Sequence, residues 1–207
     1  MLNHLKDNPL VPVLRKISYE DAPSIILALL DGGIRSVEIT METERAEEII
    51  RESVEMFGDR IKVGAGTVLS IEDCDRAIDA GAQFIVAPVL QEDVVKHAVS
   101  RGVPMIPGVF TPSEMLRAID LGATAVKLFP ASSLGPGFVK DVKGPLAHIP
   151  IMVTGGIDAT NARAYLNAGA IAVGAGSALL DKTVLSHQDW EALRDLARTW
   201  TSELHST

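Results

Sequence analysis

Cysteine, aromatic residues and long apolar runs are all scarce in this chain of 207 residues. Cys74 is the only cysteine, so no disulfide can form within the chain, and that fits a reducing compartment. No apolar run approaches the roughly 18 residues needed to span a bilayer. The N-terminal MLNHLKDNPLVPV lacks the apolar h-region and small-residue cleavage site of a secretory signal. These absences predict a soluble, cytoplasmic protein. Positive charge is also in deficit, with 19 Lys and Arg against 27 Asp and Glu. Nothing in the sequence clusters basic residues, which argues against a partner made of nucleic acid or anionic membrane and leaves a small molecule as the expected one. The histidines, His4, His97, His148, His187 and His205, are widely spaced and form no paired metal motif, so they read as surface residues and no metal is expected.

What the chain does have is 47% apolar residues, enough for one sizeable core and a single domain over residues 1–207. Short β-branched runs alternate with stretches of helical periodicity. The expected strands are Val11–Arg15, Ser36–Thr40, Lys62–Gly66, Phe84–Pro88, Pro104–Gly108, Ala125–Phe129, Pro150–Gly156 and Ala170–Gly176. Between them lie helix patterns such as EDAPSIILALLDGG and TPSEMLRAIDLGA, whose glycines fall where a left-handed C-cap is needed. The C-terminal HQDWEALRDLARTWTSEL carries Trp190, Leu193, Leu196, Ala197 and Trp200 at helical spacing, a stripe expected to pack on the core. Alternation of strand and helix implies a parallel sheet, and eight such units in a chain of this length fit an α/β, single-domain (β/α)8 TIM barrel. An open doubly wound sheet is the alternative, but no GxGxxG follows the first strand.

A barrel gathers reactive residues where strands end and βα loops begin. Arg15, Glu38, Thr67, Lys127, Thr154 and Ser177 all lie in or just after the last part of an expected strand. Lys127 interrupts the apolar AVKLF, and strand alternation sets it on the face opposite Val126 and Leu128. An ammonium group there is costly unless it is paired or put to use. One reading is a lysine that snorkels to the barrel mouth and pairs structurally; the other is an amine poised to attack a carbonyl and form a Schiff base. Glu38 interrupts SVEIT in the same way, and a carboxylate suits the proton shuttling that Schiff-base chemistry needs. The last two strands end in VTGGID and VGAGSALL, where Gly155, Gly156, Gly176 and Ser177 bring backbone N–H groups close to where an anion such as phosphate would sit. Two readings from other classes share these features: a phosphate-binding barrel isomerase or synthase, and a non-catalytic phosphosugar-binding protein.

Taken together, VEIT, VGAGTV, FIVAP, IPGVFTPSE, VKLFPAS, GPGFVKDVKGP, VTGGI and VGAGSAL, in order from about Val11 to Leu180, resemble the 2-keto-3-deoxy-6-phosphogluconate (KDPG) / 4-hydroxy-2-oxoglutarate (KHG) aldolase family. That resemblance implies a class I aldolase that needs no metal or organic cofactor and assembles as a homotrimer. It implies that Lys127 forms the Schiff base and Glu38 is the general acid/base. Thr67 and Thr154 are then expected to contact the keto acid or its hydroxyls, Pro88 and Phe129 to shape the pocket, and Gly155, Gly156, Gly176 and Ser177 to hold the phosphate. One departure stands out. Many members place an arginine four residues after the catalytic glutamate to bind the keto-acid carboxylate, and here that position is Glu42. The expected substitute is Arg15, supplied from the first strand as in other members, with Arg45 as the fallback. Thr154, a hydroxylated residue before the glycine pair, favours the gluconate-derived substrate over the galactonate-derived one within the family.

Overall fold

The computed structural model describes residues 1–205; the side chain of His205 lies outside the described ones. The strands are β1 (Leu10–Leu14), β2 (Ser36–Thr40), β3 (Lys62–Gly66), β4 (Ile85–Val86), β5 (Met105–Ile106), β6 (Gly108–Val109), β7 (Val126–Leu128), β8 (Ile151–Thr154) and β9 (Ala172–Ala175). Their order around the sheet is β5-β4-β3-β2-β1-β9-β8-β7-β6, and every pairing is parallel. Two of these strands occupy a single position. The expected strand Pro104–Gly108 is split at Pro107, so β5 pairs with β4 on one side and β6 with β7 on the other. Because Pro107 has no N–H, it gives the ladder only its carbonyl, which accepts from the Lys127 amide at 2.8 Å. That bond, with Thr124 N–H to the Met105 carbonyl at 2.9 Å, closes the ring. The eightfold barrel expected from the sequence is therefore present, with its fifth strand in two pieces.

Helices α2 (Ala22–Asp31), α3 (Ala46–Phe57), α4 (Ile71–Asp79), α5 (Glu92–Ser100), α6 (Pro112–Asp120), α7 (Gly135–Lys143) and α8 (Ala162–Asn167) fall between the strands. After β9 come α9 (Lys182–Ser186) and α10 (Trp190–His205). Local sequence fixes several of their starts. Thr111 and Glu114 form a reciprocal capping box at α6, and the Ser70 hydroxyl accepts the Asp73 amide at α4. On α10, Leu193, Ala197 and Trp200 are buried against α2, the packing that the stripe predicts, while Trp190 and Leu196 are half-buried beside them. Cys74 is fully buried on α4, and that burial pushes its thiol up to about 11.

Strand alternation produces two cores. Outward residues such as Leu14, Ile39, Val126, Leu128 and Val153 pack against the helices. Inside the barrel a smaller cluster holds Val11, Phe84, Val86, Ile106, Ala125, Met152 and Ala172. Leu5 completes it from helix α1 (Leu2–Asp7), an element the sequence pattern did not predict, which plugs the N-terminal end of the barrel.

His4, on the same helix, is half-buried with Nε2 2.9 Å from both the Arg35 carbonyl and the Ser36 hydroxyl, so it is not the surface residue expected. Burial holds it below its ordinary value of 6.5, outweighing the opposing effect of the Arg35 hydrogen bond. A depressed histidine pKa means that the unfolded chain takes up the proton first as pH falls. Stability contributed by neutral His4 is thus complete above pH 6.5 and is lost as pH drops through its folded value. Thermal denaturation from pH 7 to pH 5 should show a falling Tm, and His4→Gln should flatten that fall.

Candidate active site

The inward positions of each strand, followed toward the C-terminal end of the barrel, pass from the apolar plug to polar groups. Ala125 leads to Lys127, Met152 to Thr154, and Val11 to Val13 and Arg15. On β2 the same alternation turns Glu38 inward and leaves Val37 and Ile39 in the outer core. A cavity of about 320 Å³ opens at this end. Its wall contains Arg15, Thr67, Pro88, Lys127, Phe129 and Thr154, each from the end of a different strand or the loop that follows it, apart from Lys127 and Phe129, which share one. Gly155, Gly156, Gly176 and Ser177 complete it from the loops after β8 and β9. Every site residue expected from the sequence, the fallback Arg45 apart, is thus brought to one place, with Glu38 just beyond the wall.

Glu38 is fully buried, and Lys127 is 4% exposed. Their closest approach, Nζ to Oε1, is 3.5 Å, which is longer than an ordinary charge-assisted hydrogen bond. Among the described residues the buried side-chain atoms without a hydrogen-bond partner are Glu38 Oε1, Glu38 Oε2 and Thr154 Oγ1. All three belong to this one site. A buried polar atom left unpaired costs free energy on the order of 1–3 kcal/mol, so their concentration at one end of the barrel calls for an explanation beyond packing. The Phe129 ring also flanks the amine, with Nζ 5.5 Å from its centroid. Room for the carboxylate comes from β3. A Cβ at Gly66 would lie 2.0 Å from Glu38 Oε1, so any larger residue there evicts Glu38. Thr67, the next residue, holds a φ of 55°, a region that β-branched residues rarely occupy, and strain of this kind gathers at functional sites.

In the loop after β8, the strand next to the lysine's, Gly156 has a φ of 72°, and a Cβ on it would meet the Ser132 side chain at 2.5 Å. Only glycine fits this turn, and the absence of a side chain leaves the backbone open to close approach by an anion. Arg15 lines the cavity as expected, but it is not a free clamp: its guanidinium is ion-paired with Glu42. Glu42, which stands where many members place the arginine, is Arg15's partner, because the loops after β1 and β2 start side by side. Arg45, the fallback, is outside the wall. It pairs with Glu48 and stacks over the Tyr19 ring, 3.4 Å from its centroid.

Several wall residues were missed in the sequence. Val13 and Gly174 share the inward alternation of Arg15 and Gly176, a signal that was there to be read. Ile157, Asp158 and Ala178 come from loops, where no periodicity speaks. Asp158 accepts from the Thr160 hydroxyl and from the Thr160 and Asn161 amides, and the Thr160 hydroxyl foremost holds it below the ordinary carboxylate range. Of the histidines, His148 and His187 are exposed, while His97 is half-buried with Nε2 2.8 Å from Asp75. Among the described residues no group of three or more His, Cys, Asp or Glu is placed to hold a metal ion.

A family model described as KDPG and KHG aldolase matches residues 1–196. This chain belongs to that family. Among its relatives, the KHG/KDPG aldolase of Escherichia coli is 35% identical over 195 residues, covering 94% of this chain and 91% of the relative. The 2-dehydro-3-deoxy-6-phosphogalactonate aldolase of the same organism is 36% identical over 172 residues, covering 83% and 84%. A solved KDPG aldolase from Legionella pneumophila, with pyruvate captured as a covalent carbinolamine intermediate, superposes with a TM-score of 0.90 at 27% identity over 96% of this chain and 97% of that one. As a KDPG/KHG family member the chain is an aldolase, a carbon–carbon lyase. Among its described residues no helix is long and apolar enough to cross a membrane.

Proposed function

We propose that the chain, acting as one barrel domain, is a class I aldolase that cleaves 2-keto-3-deoxy-6-phosphogluconate to pyruvate and glyceraldehyde 3-phosphate. The observation that carries this reading is the buried Lys127–Glu38 pair, with its unpartnered carboxylate oxygens, at the open end of the barrel. The Lys127 amine attacks the C2 ketone, and water leaves to give an iminium. This electron sink lets the C3–C4 bond break as the C4 hydroxyl loses its proton toward Glu38. Glyceraldehyde 3-phosphate departs. The enamine left on Lys127 takes a proton at C3 from Glu38, and hydrolysis releases pyruvate and the free amine. Pyruvate held as a carbinolamine in the Legionella relative supports the same covalent route here. Arg15 holds the C1 carboxylate, Thr67 and Thr154 the keto acid and its hydroxyls, and Pro88 and Phe129 shape the pocket. The phosphate sits on Gly155, Gly156, Gly176 and Ser177. No organic cofactor or metal enters these steps.

Relatives named for the gluconate- and the galactonate-derived substrates match this chain about equally well, so the C4 epimer is decided locally. Thr154 decides it: its hydroxyl is buried, unpartnered and in the cavity wall. Steady-state kinetics with both epimers should give the higher kcat/KM for the gluconate-derived one. Thr154→Val should narrow that preference about tenfold, the scale of one hydrogen bond within a site. An unchanged ratio in the variant would place epimer choice elsewhere. The smaller 4-hydroxy-2-oxoglutarate, which lacks the phosphate anchor, is a secondary substrate. The solvent-facing apolar side chains Val89, Phe110 and Leu116 suit an interface between copies, in keeping with the homotrimer that the family resemblance implies. A lone, deeply buried cysteine with a raised pKa suits a cytoplasmic setting.

A further inference from the structure

We propose that Glu42 is a built-in competitor for the substrate's carboxylate: it occupies Arg15 in the empty site and thereby sets how weakly the enzyme holds pyruvate. This rests on the reading of Arg15 as the carboxylate clamp. Arg15 follows β1 directly, Glu42 follows β2 by two residues, and the register Val13 to Glu38 and Leu14 to Ile39 sets their loops together. Arg15 Nη1 donates to Glu42 Oε1. Both side chains are partly open to solvent, 54% for Arg15 and 34% for Glu42, so burial does not lock the pair and an incoming anion can contest it. The cavity wall offers two cations, Arg15 and Lys127, and Lys127 is committed to the ketone. A keto-acid carboxylate therefore has Arg15 as its fork of donors and meets a guanidinium whose charge is already balanced. It must displace Glu42 or share the fork with it against carboxylate–carboxylate repulsion. Pyruvate and the full substrate carry the same carboxylate, so the penalty falls on the binding of both. After cleavage the phosphate end has gone, pyruvate's carboxylate contact is with a contested arginine, and its release is eased.

The test is the pyruvate dependence of borohydride trapping in the full-length enzyme, with Glu42→Gln, Arg15→Gln and the double variant. Glu42→Gln should lower the half-saturating pyruvate concentration about three- to tenfold, the range between an exposed ion pair and a charge-assisted hydrogen bond. Arg15→Gln should raise it, and Glu42→Gln should have no effect in the Arg15→Gln background. If Arg15→Gln weakens pyruvate but Glu42→Gln leaves half-saturation unchanged or raises it, the competitor role is wrong and the clamp stands. An effect of Glu42→Gln that persists without Arg15 also overturns the proposal, because it would come from charge at the mouth and not from competition. Indifference to Arg15→Gln overturns the clamp and the competitor together, and absence of any adduct in the parent enzyme overturns the Schiff-base reading beneath both.

Discussion

Lys127→Ala should lower aldol cleavage by on the order of 10⁴-fold or more, because it removes the proposed nucleophile and leaves only binding and positioning to accelerate the reaction. The variant also tests what the buried pair does for the fold. Removing one partner of a buried ion pair leaves the other charge uncompensated, a loss of about 3–5 kcal/mol, whereas replacing both with neutral groups of similar size is often neutral. Denaturant unfolding should therefore find Lys127→Met destabilised and the double variant Lys127→Met, Glu38→Gln restored toward the parent. Both remain inactive in coupled assays of pyruvate release. Recovery of stability without recovery of turnover separates the chemistry of the pair from its packing. If the double variant regained activity, the lysine would be an electrostatic partner and not a nucleophile, and the isomerase reading would gain ground.

Glu38→Gln should reduce kcat by about 10²- to 10⁴-fold, the usual worth of a positioned acid–base group, with KM nearly unchanged. The split follows from geometry. Glu38 lies outside the cavity wall beside Nζ, so on the proposed mechanism its loss touches the transition state and not ground-state binding. Glutamine occupies the same space beside Gly66, so the effect reports proton transfer rather than a cavity. Trapping of pyruvate on Lys127 should persist in this variant but develop more slowly, since carbinolamine formation and loss of water also move protons. A rise in KM of the same size as the fall in kcat/KM, with kcat intact, would contradict the acid–base role.

The alternation of strands and helices was legible because each strand's apolar face repeats with a period of two, and that same period set Lys127 on the face opposite Val126 and Leu128. The sequence set Lys127 and Glu38 as two charges that could face one another across the interior, but not how closely they approach. Glu38 is on β2 and Lys127 on β7, well separated around the ring, and only closure through the broken strand at Pro107 brings them within 3.5 Å. Nothing in the sequence singled out Gly66, whose missing side chain is the space that Glu38 fills. The Arg15–Glu42 pair escaped notice for a similar reason. Residues 27 apart carry no mutual signal, so nothing in the sequence joined Glu42 to Arg15. Helix α1 is too short for periodicity to speak, and its role as plug depends on Leu5 meeting a hole that exists only once the barrel has closed.

The central claim is that Lys127 bonds covalently to a keto acid, and peptide-level mass spectrometry after incubation with pyruvate and borohydride tests it directly. The account predicts a reduced pyruvyl adduct confined to the peptide carrying Lys127 and absent from Lys127→Ala. No adduct at saturating pyruvate, or an adduct that survives in Lys127→Ala, would contradict it.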